Sequence, residues 1–497
     1  MMFSKGGFHV GPLSKNDLLS LFNLEDDAVE DISFINKNGI AMIDVLLHPN
    51  YPPCPRCGNT RVWVKDFNSR QITHSILTDR QCILIYRARR YICPVCGRTY
   101  LENNPFSFRS SQISALTVQN LLRDLKSANE TFSSVALRYH VSPTSACSVF
   151  DQYVSMSRLP LPELMCWDEC YAFYHRGEDS KYVFTILDFD SQIPIDLLPS
   201  RRKGYLTSYF MSLPKEERDN VKMIATDMYR EYRYIIHQVF PKAIHSCDHY
   251  HVSQELTRKV DKVRIRVMKS VTKYIRGTKR TSDEYYLLKK FNWLIFKRYD
   301  SVDHDGRQLF DPNRERKMNQ KLGRLLNYYD IRDLIEAIHP DLKAAWRLKD
   351  DLTDFYEKNT YDTAEEALTE LILSFSHSGI TEMKEFGRTL ANWKEEIINS
   401  FIVVKKKYKV DKDTGQVVVS DIKLNNGLME NRNSILKIIK KNANGYTCWN
   451  RFRNRALYVL RPDAVPLLNP VIPPKREKNK KEIKRKRKTR KAKANAV

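Results

Sequence analysis

"VKMIATDMYREYRYIIHQVFPKAIHSCDHYHV" runs from Val221 to Val252 and changes period as it goes. "VKMIATD" is an apolar run of the buried-strand kind that closes on Asp227. "MYREYRYIIHQVF" then spaces its apolar residues as a helix does, "KAIHSCDHYH" reads as another strand, and "VSQELTRKVDKVRIRVMKSVTKYI" reads as a long helix. Upstream, "LMCWDECYAFY" (Leu164–Tyr174), "KYVFTILDFD" (Lys181–Asp190) and "IPIDLLP" (Ile193–Pro199) read as three strands separated by polar or turn residues. "YLTSYFMSL" (Tyr205–Leu213) follows as a helix candidate.

Three strands followed by strand–helix alternation is the order of a ribonuclease-H-like core, a mixed sheet flanked by helices. In that layout Asp168 lies on the first strand and Asp227 ends the fourth, and these two strands are sheet neighbours. Carboxylates at one level on adjacent strands can hold two divalent metals roughly 3.5–4 Å apart. Hard Mg²⁺ prefers such oxygen ligands. Each acid also has a plain reading. Asp227 precedes a helix and is a candidate N-cap. Asp168 interrupts an apolar strand, so a solvated role fits it less well. Glu169 is expected on the opposite face of that strand. Asp188, Asp190 and Asp248 are further candidates, and "CDHYH" (Asp248, His249, His251) is a weaker metal alternative.

Two cysteine pairs, "CPRC" (Cys54, Cys57) and "CPVCG" (Cys93, Cys96), have 35 residues between them. Each pair sets two thiolates on a tight knuckle, and four thiolates complete a structural zinc site with no open position for chemistry. Between them "TRVWVKDF" and "QCILIYRARRYIC" alternate as strands, so a hairpin brings the knuckles together. His74 and Cys82 are weaker ligand candidates. The six remaining cysteines are scattered, which suits a reducing compartment better than a disulfide scaffold. Arg56, Arg61, Trp63, Lys65, Arg87, Arg89, Arg90, Tyr91 and Arg98 around the knuckles suit either DNA backbone contact or an ordinary solvated strand face.

"SALTVQNLLRDLKSAN" carries Leu116, Val118, Leu121, Leu122 and Leu125 at helical spacing. A second short helix follows with Phe132, Val135, Ala136 and Tyr139. After the break "HVSP", Ser142 is a good N-cap and Pro143 suits the first position of a third helix. Two short helices on a tight turn suggest a DNA-reading helix-turn-helix, with Thr144, Ser145 and Ser148 free to approach base edges. A small helical bundle gives the same pattern.

The 497 residues carry a formal net charge of +24, which calls for a polyanionic partner, nucleic acid or an acidic membrane surface. No apolar run approaches the roughly 18–20 residues that span a bilayer, and the first residues lack a signal core. A cytoplasmic, nucleoid-associated DNA-binding protein is expected. From Lys475 onward 13 Lys or Arg face 2 Glu, a disordered basic tail by composition that serves either phosphate contact or solubility.

The motifs "CPRCG…YICPVCGRTY", "WDECYAF", "ATDMYREYRYIIHQVFPKAIHSCDHYHV", "FNWLIFKR", "RTLANWKEEIINSF" and "NNGLMENRNSILKIIKKNANGYTCWNRFRNR" occur in one order over residues 50–460. In these the chain resembles the DDE transposases of the ISL-three family of bacterial insertion sequences. Carried over residue by residue, the resemblance puts the family's two Asp on Asp168 and Asp227 and its Glu on Glu430, with Asn426 and Gly427 opening the Asn-Gly-x-x-Glu motif. It puts the ribbon ligands on Cys54, Cys57, Cys93 and Cys96. "WDEC" stands where Ile-Asp-Glu-Phe is more usual, and Asn431 where Gly is common. Beyond the long helix, the 203 residues from Asp227 to Glu430 hold six more helical stretches, which the resemblance places as an insertion within the catalytic fold; "VVKKKYKVDKDTGQVVVSDIKL" after them reads as a hairpin turning at Asp413–Gly415.

The expected architecture is multidomain α+β. It comprises an N-terminal zinc-ribbon region (1–105), a helix-turn-helix (106–160), a ribonuclease-H-like, retroviral-integrase-like core (161–275 and 403–462) interrupted by a helical insertion (276–402), and a basic tail (463–497). The resemblance implies Mg²⁺-dependent cleavage and strand transfer at insertion-sequence ends. Asp168, Asp227 and Glu430 would hold two Mg²⁺ (or Mn²⁺), and one structural Zn²⁺ would sit in the ribbon. The partners implied are double-stranded DNA, as terminal inverted repeats and target, and further copies of the chain in a dimer or larger synaptic complex. Lys437 and Lys441, on the Glu430 helix, and Arg453 are candidate phosphate contacts beside Thr144, Ser145 and Ser148. Two rival readings stand: a DNA-binding relative without catalysis, and a stand-alone ribonuclease-H-like nuclease.

Overall fold

The computed structural model describes residues 26–75, 80–108, 111–173, 181–277, 280–410, 416–469 and 471, with positions 16 and 19. The basic tail from Lys475 and the Asp413–Gly415 turn lie outside the described residues. The chain divides into two units, residues 1–157 with 438–497, and residues 158–437.

In the first unit, β1 (Val29–Lys37), β2 (Ile40–Leu47), β3 (Trp63–Thr73), β4 (Cys82–Ile92) and β5 (Thr99–Leu101) form one sheet of order β1-β2-β4-β3, with β5 also on β4. The expected hairpin is β3–β4, antiparallel from Trp63↔Ile92 to Thr73↔Ile83. β1 and β2 extend it, joined by a two-residue turn in which Asn38 and Gly39 both take positive φ. Ala41, Ile43 and Val45 of β2 are buried against Leu84 and Tyr86 of β4. The basic surface imagined around the knuckles is partly interior. Tyr91 is buried, and so is Arg89, which ion-pairs with Glu30 and Glu102. Arg87 pairs with Asp31 and Asp44.

Three helices follow: α1 (Ala115–Asp124), α2 (Phe132–Arg138) and α3 (Pro143–Tyr153). Ser114, Thr131 and Ser142 cap them with side-chain oxygens on backbone N–H groups, and Pro143 opens α3 as its fixed φ favours. Leu121, Leu122, Leu125, Val135, Ala136, Ala146 and Phe150 form their shared core, which Tyr458 joins from the helix Trp449–Leu460. That helix also buries Arg455, which donates to the carbonyls of Leu125, Ser127 (2.7 Å) and Glu130 (3.0 Å). Residues 449–460, expected within 403–462, thus pack on the three short helices.

In the second unit β6 (Leu164–Tyr171), β7 (Tyr182–Asp188), β8 (Pro194–Leu198), β9 (Met223–Thr226) and β10 (Ile244–Cys247) form a sheet of order β10-β9-β6-β7-β8. β6, β7 and β8 pair antiparallel, while β9 runs parallel to both β6 and β10. α4 (Lys203–Met211) and α5 (Lys215–Asp219) precede β9; α6 (Arg230–Val239) and α7 (His249–Ser270) follow β9 and β10. β10 ends earlier than its sequence suggests, because Asp248 leaves the strand to cap α7 by accepting from Tyr250 N–H. Trp167 is fully buried on one sheet face, stacked on Phe210 of α4 at 4.8 Å between centroids and against Tyr232 of α6.

Beyond α7 come α8 (Asp283–Lys290), the short pair β11 (Lys317–Asn319) and β12 (Arg324–Leu326), and α9 (Tyr328–Ile338), α10 (Pro340–Lys358), α11 (Tyr361–His377), α12 (Thr381–Asn392) and α13 (Lys394–Asn399). Their common core includes Trp346, Phe355, Leu368, Phe375 and Phe386, together with Leu256, Val260 and Val263 of α7. The antiparallel strands β13 (Val403–Val410) and β14 (Val417–Lys423) then lead into α14 (Gly427–Asn442), within which the unit boundary falls. Among the described residues no helix is long and apolar enough to cross a membrane.

Candidate active site

The register of β6 on β9 pairs Leu164 with Met223, Met165 with Ile224 and Cys166 with Ala225. Carried two residues further, past the end of β9 at Thr226, that register brings Asp168 level with Asp227. Alternation along β6 points Trp167 into the aromatic core and Asp168 to the other face. That other face is covered by the start of α14. Asn426 Nδ2 donates to the Trp167 carbonyl (3.0 Å), Cys166 Sγ approaches the Asn425 carbonyl (3.3 Å), and Met429 is buried beside Cys166. Gly427 N donates to Asn425 Oδ1, and a Cβ on Gly427 would stand 3.1 Å from that same oxygen, so the turn leaves little room for a side chain.

One turn into α14, Asn433 Nδ2 donates to Asp168 Oδ2 at 2.7 Å. The cleft here is lined by Asp168, Glu169, Asp248, Glu430, Asn433 and Lys437 among others. Residues 168 and 430, far apart in sequence, therefore face one space. Glu430 is exposed at the first turn of α14, where an acid is favoured by the helix dipole. Asn433 was not anticipated; its signal was the spacing of three from Glu430, which shares a helix face.

The acids crowd one another. Burial pushes the Asp168 carboxyl up to about 7, and the charges of Glu169 and Asp248 add to it against hydrogen bonds from the Glu169 N–H and the Asn433 amide. Burial also raises Asp227, reinforced by Glu169 and Asp168 and opposed by Arg201 and the Tyr229 N–H. Asp227 does not cap α6: the cap position is Tyr229, with no side-chain cap bond, and Asp227 Oδ1 is buried without a hydrogen-bond partner. Glu169, on the Trp167 face, pairs with Arg201 and accepts from the Tyr232 hydroxyl. A buried, partnerless carboxylate oxygen beside further carboxylates is a donor set that suits a hard divalent cation. The oxygens of Asp168, Asp227 and Glu430 do not all stand within 4.8 Å of one another, a spacing met among the described residues by the four knuckle cysteines and by His237, His245 and Glu396.

The remaining acid candidates have other work. Asp188 accepts from Asp190 N–H and from the Ser191 hydroxyl in a turn, and Asp190 pairs with Lys405. Asp248 is a cap whose oxygens lie 3.6 Å from His249 Nδ1 and 3.9 Å from His251 Nε2. The His237–His245–Glu396 group is an ion-pair network: Arg233 holds both oxygens of Glu396, at 2.5 and 2.8 Å. His245 Nε2 in turn lies 2.8 Å from the hydroxyl of Thr226, the residue before Asp227.

The knuckles are near copies. Gly58 N and Gly97 N each donate to the carbonyl of the first cysteine at 2.9 Å, and both glycines take positive φ. Cys54 Sγ lies 3.6 Å from Cys96 Sγ, and Cys57 Sγ 3.6 Å from Cys93 Sγ. Tetrahedral zinc with ~2.3 Å bonds implies sulfur–sulfur edges of ~3.8 Å, so the set fits Zn²⁺. Desolvation would raise the Cys93 thiol, but N–H groups of Cys96 and Val95, the Asn59 amide and Cys57 together bring it to about 6, which favours the thiolate a metal requires. Cys82 is buried in the sheet core and His74 is tied to Ser114 at 2.9 Å, so neither joins the knuckles.

Thr144 at the start of α3 and Ser148 at its middle are exposed, and Ser145 is held by the cap hydroxyl of Ser142 at 2.8 Å. Lys437 is exposed at the cleft and Lys441 lies one turn further along α14. Arg453 is half-buried and donates to the Met156 carbonyl at 2.7 Å.

Residues 166–408 match a family profile described as transposase, of the ISL3 type, and residues 50–96 match the zinc-finger of transposases IS204/IS1001/IS1096/IS1165. The first span includes Asp168 and Asp227 and stops before Glu430. The chain is similar to the transposase for insertion sequence element IS1001 of Bordetella parapertussis, 23% identical over 398 residues, 79% of this chain and 85% of that protein.

Proposed function

The chain belongs to the ISL3 family of transposases, and on that premise we propose that it cuts DNA at the ends of an insertion sequence and joins them to a target, with Asp168, Asp227 and Glu430 as its metal-binding carboxylates. The observation that carries this reading is the bond from Asn433 to Asp168, which ties the Glu430 helix to the strand bearing the first Asp. The fold would then be ribonuclease-H-like, with α2 and α3 as a helix-turn-helix.

Divalent Mg²⁺ held by these carboxylates would supply charge neutralisation at the attacking and leaving oxygens. The chain's own residues do the positioning. Asn426 pins the turn before α14 to β6, Asn433 fixes one oxygen of Asp168, and Lys437 on the cleft wall faces the phosphate chain. In the first reaction water attacks a phosphodiester and the P–O3′ bond breaks, leaving a 3′-hydroxyl and a 5′-phosphate. In the second, that 3′-hydroxyl attacks a target phosphodiester in line, one P–O bond forming as another breaks, with no covalent enzyme intermediate. The zinc knuckles and the α2–α3 pair would grip the terminal inverted repeats. Two ends must be processed together, so a dimer or larger synaptic assembly fits the reaction.

The test is incubation with Mg²⁺ and a duplex carrying the element's terminal repeat. Nicking at the element end followed by joined products is expected. Binding without cleavage in Mg²⁺ or Mn²⁺ would reduce the chain to a DNA-binding protein, and cleavage without joining would make it a nuclease.

A further inference from the structure

Nothing in the acidic centre accounts for the β13–β14 ribbon. Every residue of β13 but Val404 is exposed, as are Val417–Asp421 of β14. An isolated two-stranded hairpin is marginal in water, so this one depends on its root. There Val404 and Ile422 pack into the cluster of Cys166, Leu424 and Met429, and Lys405 pairs with Asp190. Asp190 follows Asp188, whose register partner Met165 is about 10 Å along β6 from Asp168. The ribbon is thus anchored beside the acids and exposed along its body.

The pairing separates its two faces. Lys405, Lys407 and Lys409 lie on one face opposite Ile422, Ser420 and Val418, so no acid opposes them across the strands. Lys406, Tyr408 and Val410 lie on the other, opposite Asp421, Val419 and Val417, where Tyr408 is 67% and Val419 50% exposed. Alternate residues of a strand repeat every ~6.6–6.8 Å. Successive phosphates of one DNA strand, rising 3.4 Å per nucleotide around the duplex, stand roughly 6.5–7 Å apart. A two-stranded ribbon is also narrow enough for the major groove.

We propose that the β13–β14 ribbon is a DNA-backbone contact, its Lys407 and Lys409, on the body of the ribbon beyond the Lys405–Asp190 pair at its root, aligned with consecutive phosphates of the duplex whose cleavage is assigned to the neighbouring acidic cleft. This rests on the transposase reading for the source of the duplex. Charge decides the partner: Lys407 and Lys409 facing neutral cross-strand neighbours, in a chain of net charge +24, suit a polyanion rather than a second copy of the same chain.

The full-length protein is titrated with a mixed-sequence duplex by fluorescence anisotropy at several salt concentrations. Each phosphate contact contributes about 0.9 to the slope of log K against log salt, so Lys407→Ala with Lys409→Ala should lower that slope by about 1.8 and weaken binding about tenfold. The paired Lys→Arg variant should keep the slope, and Tyr408→Ser on the opposite face should leave it unchanged. Equal thermal melts of the variants exclude misfolding. An unchanged slope in the double alanine variant overturns the proposal, and so does loss of self-association on Tyr408→Ser with DNA binding intact in the lysine variant. Cleavage is scored separately. Wild-type cleavage with no slope change sinks the ribbon alone; a slope change in a chain that never cleaves sinks the transposase chemistry and leaves the ribbon standing.

Discussion

Replacing Asn433 by Ala should shift the acid limb of the metal-dependent reaction upward in pH. The Asn433 amide donates to Asp168 at 2.7 Å and so favours the ionised carboxylate. A hydrogen bond to a charged group is worth about 1.5–3 kcal/mol, and one pKa unit corresponds to about 1.4 kcal/mol, so its loss should raise Asp168 by about 1–2 units from a value already near 7. Protons and Mg²⁺ compete for the same oxygens. At pH 7, where the wild-type carboxyl is itself about half ionised, the variant should therefore bind Mg²⁺ about 5–50-fold more weakly, in line with the usual cost of removing a group that orients a metal ligand. The deficit should shrink as pH is raised toward 9, where the wild-type carboxyl is ionised and most of the variant's becomes so. Calorimetric Mg²⁺ titrations and cleavage rates between pH 6 and 9 measure this, with Asn433→Asp as a second variant that should also impair by adding a negative charge. A deficit independent of pH would refute the reasoning, because it would mean that Asn433 holds the helix in place and does not tune Asp168.

Asp168 also links stability to pH. Its folded value is raised above the unfolded carboxylate value of about 4, so without divalent cations its contribution is full below about pH 4 and is lost as pH rises through about 7; Asp168→Asn should melt higher than wild type at pH 8, by about 2 kcal/mol after discounting for partial exposure. Zinc analysis of the purified protein should find about one ion per chain, and Cys93→Ser should abolish it and expose the β3–β5 region to proteolysis. Arg455→Met should cost about 3 kcal/mol in the melting of the first unit, since three carbonyls lose a buried charged donor; a cost under about 0.5 kcal/mol would show that those carbonyls find other partners.

What the sequence disclosed and what it hid have separate physical origins. The strands around Asp168 and Asp227 were legible because buried strands leave apolar runs, and the cysteine knuckles because metal spacing is local. The caps at Ser142 and Pro143 followed from the same local chemistry. The β1–β2 hairpin left a signal that went unused, the Asn38–Gly39 dipeptide between two β-rich runs. The Asn433–Asp168 bond, the orphaned oxygen of Asp227 and the Arg89–Glu30 pair left none, since a polar side chain does not advertise a partner scores or hundreds of residues away. The cap of α7 falls on Asp248 and that of α6 not on Asp227: both strands end directly before their Asp, but α7 begins at once at His249 while α6 begins only at Arg230. Glu430 was placed by resemblance, and the fold brings it to the cleft without drawing it into contact with the two aspartates.

The account stands on those three carboxylates sharing one metal centre. Loading the protein with Fe²⁺ in place of Mg²⁺, then adding ascorbate and peroxide, cuts the backbone wherever the chain lines the metal. The predicted pattern is cutting around residues 168, 227 and 430 together, suppressed by excess Mg²⁺ and lost from all three places in Asp168→Asn. Cutting near 168 and 227 with none near 430 would contradict it.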